Sequence, residues 1–242
     1  RWRNACYIFC EESENISITG MGKIDCNGHN FVRPVENPKT WMYERIDAPT
    51  PPRVVFFTGC KNVKIEDVTM VNQPAGWSYW IHGCESVNIR GIKINADVRH
   101  PNNDGIHINC SQNVTVSDCN ITCGDDCIVV RAYSAPLGKN TVCEKVAVTN
   151  CNLTSHTCAV RVGWINDGVM RNCTFSNLNI TESRCAIGMY LPSNPAKARM
   201  SDQGHEATLI ENISFSNITI DRNYGTPIRI EIQPHNLCRA IR

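Results

Sequence analysis

Apolar and polar residues alternate along most of the chain in short bursts broken by turns. One nine-residue unit recurs. It reads Asn-Val-Lys-Ile-Glu-Asp-Val-Thr-Met from Asn62 and Ser-Val-Asn-Ile-Arg-Gly-Ile-Lys-Ile from Ser86. Further copies start at Asn113, Lys145, Asn172 and Asn212, and Ile16 and Ile18 look like an earlier one. The leading apolar residues are Val63, Val87, Val114, Val146, Cys173 and Ile213, at intervals of 24, 27, 32, 27 and 40. Period-2 alternation puts one face in and one face out. Each interval holds two or three strands with turns, and no segment shows a convincing long helical period. Stacked units bury a continuous core that one unit alone could not. A sandwich would need two-residue hairpin turns, which are scarce here. The pattern predicts an all-β parallel β-helix, with the variable insertions in external loops.

Composition refines this picture. A net charge of +1 and 42% hydrophobic residues give no bulk field for nucleic acid and no segment long enough to cross a membrane. Fifteen cysteines are many. Cys60, Cys84 and Cys143 each precede a repeat valine by three residues, and Cys119 and Cys151 take equivalent inward places. Free cysteine packs as a small hydrophobe, so these positions predict buried thiols over disulfides. No matched Cys-x-x-C pairs suggest zinc. Asn-x-Ser/Thr occurs eight times, mostly inside the repeat, and predicts turn-bonding asparagines over glycans.

Three carboxylates stand out. Asp104 lies in Asn-Asn-Asp-Gly-Ile-His-Ile, and Asp125 and Asp126 lie in Gly-Asp-Asp-Cys-Ile-Val-Val-Arg. Asp104 and Asp126 are 22 residues apart, about one coil. Placing one over the other also stacks Gly105 on Cys127, Ile106 on Ile128 and Ile108 on Val130. Stacked strands are about 4.8 Å apart, so the three carboxylates crowd one spot on the outer surface. Like charges held close raise at least one pKa, which suits an acid paired with a base. Spacing alone also fits a calcium site or an aspartate ladder capping turns.

These motifs resemble those of glycoside hydrolase family 28, the polygalacturonase-like pectin-degrading enzymes. Asn102-Asn-Asp-Gly is similar to that family's Asn-Thr-Asp-Gly, Gly124-Asp-Asp-Cys-Ile to its Asp-Asp-Cys-Ile segment, and Gly20-Met-Gly-Lys-Ile-Asp to its Gly-x-Gly-x-Ile-Asp. Trp80-Ile-His looks like its Trp-Thr-Ile-His region. The resemblance covers residues 14 to about 232. It implies a right-handed β-helix and inverting hydrolysis of an O-glycosidic bond in pectin-like polysaccharide, with no cofactor. It implies Asp125 as general acid, with Asp104 and Asp126 holding and deprotonating the water. Residues 1–242 are expected to form a single β-helix domain, lacking its N-terminal cap and the last C-terminal coils. Secretion is the family habit, whereas the cysteine content points to a reducing compartment. Oligomeric state is not legible.

Two family motifs are altered. The third, Gly-His-Gly before Ile-Ser-Ile-Gly, reads Ser155-His-Thr-Cys-Ala-Val-Arg-Val-Gly here, so Cys158 stands at the histidine position and His156 two residues early. His156 either reaches the site through a bulge or is an ordinary surface residue. The fourth, Arg-Ile-Lys, is replaced by Gly188, Met189 and Tyr190. Arg161 is predicted one rung below Gly188 and Arg229 one rung above, with Arg131 beside the column of Tyr190. A guanidinium there could supply a carboxylate contact. Trp77, Tyr79 and Trp80 either stack on a sugar or fill the helix, and His82 and His107 fall near the expected cleft. Tyr224 is the nearest stand-in for the family's late tyrosine. Two other functions share this fold: a polysaccharide lyase, and a carbohydrate-binding or structural β-helix without turnover.

Overall fold

The computed structural model describes residues 6–46, 50–164, 167–191, 208–233 and 236–242. Alternating residues became strands because each strand closes its hydrogen bonds on the coil below and the coil above. One eight-stranded parallel sheet stacks Ile8–Glu11, Arg53–Thr58, Trp77–His82, Ile106–Asn109, Ile128–Arg131, Cys158–Val162, Cys185–Leu191 and Ile228–Ile232. The remaining coil strands form a second, twelve-stranded parallel sheet. The molecule is therefore a parallel β-helix, right-handed as parallel crossovers are. One antiparallel hairpin, Val32–Glu36 with Tyr43–Arg45, departs from the solenoid.

The expected register holds. Val63, Val87, Val114, Val146, Cys173 and Ile213 pair in sequence, with Ile16 below them. They belong to one continuous hydrophobic core, with Ile65, Ile89 and Val116 in the next inward column. The repeat asparagines have a backbone reason. Asn15, Asn62, Asn113, Asn172 and Asn212 all adopt positive φ between 53° and 59°. Asparagine tolerates this left-handed bend better than most residues. Other asparagines ladder between coils: Asn152 Nδ2 donates to Asn120 at 2.7 Å and Asn179 Nδ2 to Asn152 at 3.1 Å. All fifteen cysteines are free thiols, and Cys60, Cys84, Cys119 and Cys151 are buried.

Ile89 is fully enclosed at the middle of its column. Ile89→Ala is expected to cost ~2–5 kcal/mol through lost burial and a residual cavity. Denaturant titration checks this, and a loss below about 1 kcal/mol would mean the column is loosely packed.

Candidate active site

The carboxylates sit in the turns that lead into two adjacent strands of the eight-stranded sheet. Register pairs Ile106 with Ile128 and Ile108 with Val130, and the Gly105 amide donates to the Asp126 carbonyl at 2.9 Å. A side-chain staple fixes the two turns together. Asn103, fully buried, accepts from the Gly124 amide at 2.6 Å and donates to the Asp97 carbonyl at 2.9 Å. Any side chain at Gly124 would collide there, since a Cβ would lie 2.4 Å from the His100 carbonyl oxygen.

Oxygens of Asp104, Asp125 and Asp126 fall within 4.8 Å of one another. This is closer than the roughly 6.5–9.5 Å separation of an inverting acid and base. Two cross-links draw the side chains in. The Thr157 hydroxyl lies 2.9 Å from Asp125 Oδ1 and 3.1 Å from Asp126 Oδ1. Arg161 forms a two-pronged ion pair with Asp126, through Nε to Oδ2 and through Nη2 to Oδ1 at 3.1 Å. A metal ion at the three carboxylates would have to compete with Arg161 for Asp126.

The cluster is not on the outer surface, as spacing suggested. Asp104 is only 3% exposed and Asp126 6%. The intervening turns fold over them, which excludes water and strengthens their mutual repulsion. Burial, then the charge of Asp126, holds the Asp104 carboxyl well above the ordinary carboxylate range. Burial, then Asp104 and Asp126, raises Asp125 in the same way. His107 Nε2 lies 2.7 Å from Asp104 Oδ2. Burial and the nearby arginines push the His107 pKa well below its usual value, so the ring is neutral. Asp104 Oδ1 has no hydrogen-bond partner among the described residues.

Several predicted ligand-binding residues lie elsewhere than expected. Trp80, His82 and His107 are 3%, 1% and 3% exposed, so no substrate touches them in this conformation. Their column does project from the sheet, but neighbours cover it. Trp77 stacks on His107 with centroids 3.5 Å apart, and Phe56 stacks on Trp80 at 4.3 Å. Asn109 and burial hold His82, whose pKa falls to about 4, mainly by desolvation. Arg131 is pinned by buried Asp167, donating from Nη2 at 2.6 Å and from Nε at 3.0 Å, so it is not a spare carboxylate ligand. His156 does not reach the carboxylates. Its Nε2 donates to the Thr40 carbonyl at 2.9 Å, and its Nδ1 lies 3.1 Å from the Tyr224 hydroxyl. Its two ring nitrogens are thus engaged by the hairpin and by Tyr224, and neither by a carboxylate.

Arg161 and Tyr190 do face a cleft. It has a volume of about 370 Å³ and includes Thr157, Cys158, Gly188 and Arg229 in its lining. Register confirms the column Arg161, Gly188, Arg229. The Arg229 guanidinium packs 4.2 Å from the Tyr190 ring centre and donates to Glu231 at 2.7 Å.

Thr157, Asp167 and Arg53 were not singled out from sequence. Arg53 lies in register with Trp77 and packs 3.4 Å from its ring centre, beneath the site. Its position at the head of an apolar run, one coil before Trp77, was the available signal. Desolvation lowers its pKa to about 10, which leaves it charged at neutral pH.

The model of glycosyl hydrolases family 28 matches residues 3–241. A probable polygalacturonase of Arabidopsis thaliana is 26% identical, over 92% of this chain and 52% of that protein. An exopolygalacturonase of the same plant is 28% identical, over 91% and 49%. A probable endo-xylogalacturonan hydrolase A of Aspergillus fumigatus is 26% identical, over 84% and 46%. The chain thus spans about half the length of these curated relatives. Among solved structures, a family 28 exopolygalacturonase from Yersinia enterocolitica superposes with a TM-score of 0.63 at 17% identity, over 94% of this chain and 52% of that one. An endo-xylogalacturonan hydrolase from Aspergillus tubingensis gives 0.56 at 21% identity, over 91% and 58%. The structural likenesses bear on the fold.

The raised carboxyls make a stability prediction. In the unfolded chain both ionise near pH 3.9. In the folded protein they resist ionisation, so their contribution is fully present below that pH and is lost as pH rises through their folded pKa values. Asp104→Asn and Asp125→Asn should therefore gain stability relative to the native protein as pH rises from about 4 toward neutrality. Asp126→Asn should instead lose on the order of 3 kcal/mol at neutral pH, because it strands the Arg161 charge. Urea midpoints across pH check both signs.

Proposed function

We propose that this chain, which belongs to the glycosyl hydrolases family 28, hydrolyses glycosidic bonds in a pectin-like polysaccharide with Asp104, Asp125 and Asp126. The observation that carries the reading is one guanidinium among three crowded carboxylates. Arg161 is ion-paired with Asp126, while among the described residues arginines act on Asp104 and Asp125 only through their charge, Arg53 on Asp104 and Arg161 on both. Unequal environments divide acid from base.

Asp125 is the general acid. It keeps its proton above the ordinary carboxylate range and is the one of the three left partly exposed, so a leaving oxygen can accept that proton. Asp126, paired with Arg161, takes the proton from the attacking water. The partnerless Oδ1 of Asp104 orients that water, and His107 holds the other Asp104 oxygen. Thr157 ties acid to base and sets their spacing. The short oxygen contacts must open when sugar and water enter, for an inverting displacement needs room between acid and base.

Arg161 is committed to Asp126, Arg131 to Asp167 and Arg229 in part to Glu231. Of the arginines in the cleft, Arg161 and Arg229 are thus engaged by carboxylates and Arg184 is left to meet a uronate, which argues for weaker action on plain polygalacturonate than two free cations would give. We place this action outside the cell, on a galacturonan-type polysaccharide of the kind for which its relatives are named. Among the described residues no helix is long and apolar enough to cross a membrane.

Asp125→Asn should lower turnover by about 10²–10⁴-fold, the usual worth of general acid–base assistance. A substrate with a good leaving group should be partly spared in this variant, and Asp126→Asn should lose activity on both kinds. Reducing-end release from pectic polysaccharides measures this. Near-normal turnover in both variants would remove the carboxylates from the chemistry.

A further inference from the structure

A second hollow of about 290 Å³ is lined by Trp41, Val98, Thr154, His156, Glu182 and Tyr224, and it meets the cleft at neighbouring residues, His156 lining the hollow and Thr157 the cleft. Its most prominent feature is aromatic. Trp41 is 62% exposed and Tyr224 50%. Both flank His156, with centroids 6.3 and 6.1 Å from its ring. Trp41 comes from the hairpin, which is anchored over the later coils by the bond from His156 to the Thr40 carbonyl at 2.9 Å. Two unrelated segments, far apart in sequence, are thus tied to one histidine so that their rings border one hollow. Large aromatic surfaces left in water mark binding sites more often than chance. A ring with an apolar face and a polar tip suits the C–H face and hydroxyls of a sugar.

Charge narrows the occupant. No lysine or arginine lines the hollow, and Glu182 does. Thr157, next to His156, is bonded to Asp125. A uronate here would find no cation in the lining, and the neighbouring Arg222 is already engaged by Glu182 at 2.6 Å and Asp221 at 3.1 Å, so its carboxylate would go unpaired against Glu182. The neighbouring cleft is the reverse, with Arg161, Arg184 and Arg229 in its lining.

We propose that the Trp41–Tyr224 hollow is a subsite for an uncharged sugar that branches from the polysaccharide main chain beside Asp125. It rests on the polysaccharide reading above and adds the branch to it. The main chain occupies the arginine-lined cleft, and the branch passes Thr157 and His156 into the hollow.

Binding of two probes to the slow-turnover Asp125→Asn protein tests this by calorimetry: a galacturonate oligomer, and the same oligomer bearing one xylose branch. The branched oligomer should bind at least tenfold tighter. Adding Trp41→Ala should abolish that preference while leaving affinity for the unbranched oligomer unchanged. Trp41 is exposed, so this change spares the fold. Adding Tyr224→Phe instead, which keeps the ring, should preserve the preference. Equal binding of both oligomers, or a preference that survives Trp41→Ala, would overturn the subsite and leave the polysaccharide reading standing. Binding of neither oligomer would overturn both.

Discussion

The site depends on the in-register parallel rung. Neighbouring strands of the eight-stranded sheet are hydrogen-bonded residue for residue, so a turn leading into one strand is held directly over the turn leading into the next. That constraint brings Asp104 to Asp125 and Asp126, and Arg161 to Asp126, without any of them being close in sequence. A one-residue slip would send every inward side chain outward. The valine column, the asparagine bends and the Asn103 staple all resist that slip.

The cost of such a cluster is electrostatic. Acids crowded and buried together repel one another, and Arg161 is ion-paired with one of them, Asp126. Arg161 is thereby held to the carboxylates from a position that also lines the cleft. Its engagement with Asp126 changes what the cleft can recognise, because a cation held by the protein's own carboxylate is less available to a sugar carboxylate. Trp77, Arg53 and His107 form the floor beneath. Burial raises the Asp104 pKa, whereas the charge of Arg53 acts in the opposite direction.

Much of this was legible in sequence because a solenoid translates periodicity into proximity. The repeat valines place the strands, and strand register then stacks Asp104 on Asp126 and Arg161 under Gly188. What periodicity does not encode is depth and lateral contact. Trp80, His82 and His107 occupy outward positions, yet Trp77, Phe56 and Asn109 cover them. His156 was a candidate for the carboxylate site, but the hairpin at Val32–Arg45 claims its ring. Loops of irregular length carry no period, so neither the hairpin's reach nor the grip of Asp167 on Arg131 could be read from spacing. The altered third and fourth motifs did signal a changed cleft, and the committed arginines explain how it has changed.

The central claim is that burial, together with crowding among the three carboxylates, keeps Asp125 protonated as the acid. Carbon-13 NMR titration of the aspartate side-chain carboxyls, assigned with the Asp125→Asn protein, tests it most directly. The account predicts that Asp125 titrates well above the ordinary value of about 3.9 and moves back toward it when Asp104 and Asp126 are both replaced by asparagine. An Asp125 carboxyl that titrates at or below the ordinary value in the native protein would contradict it.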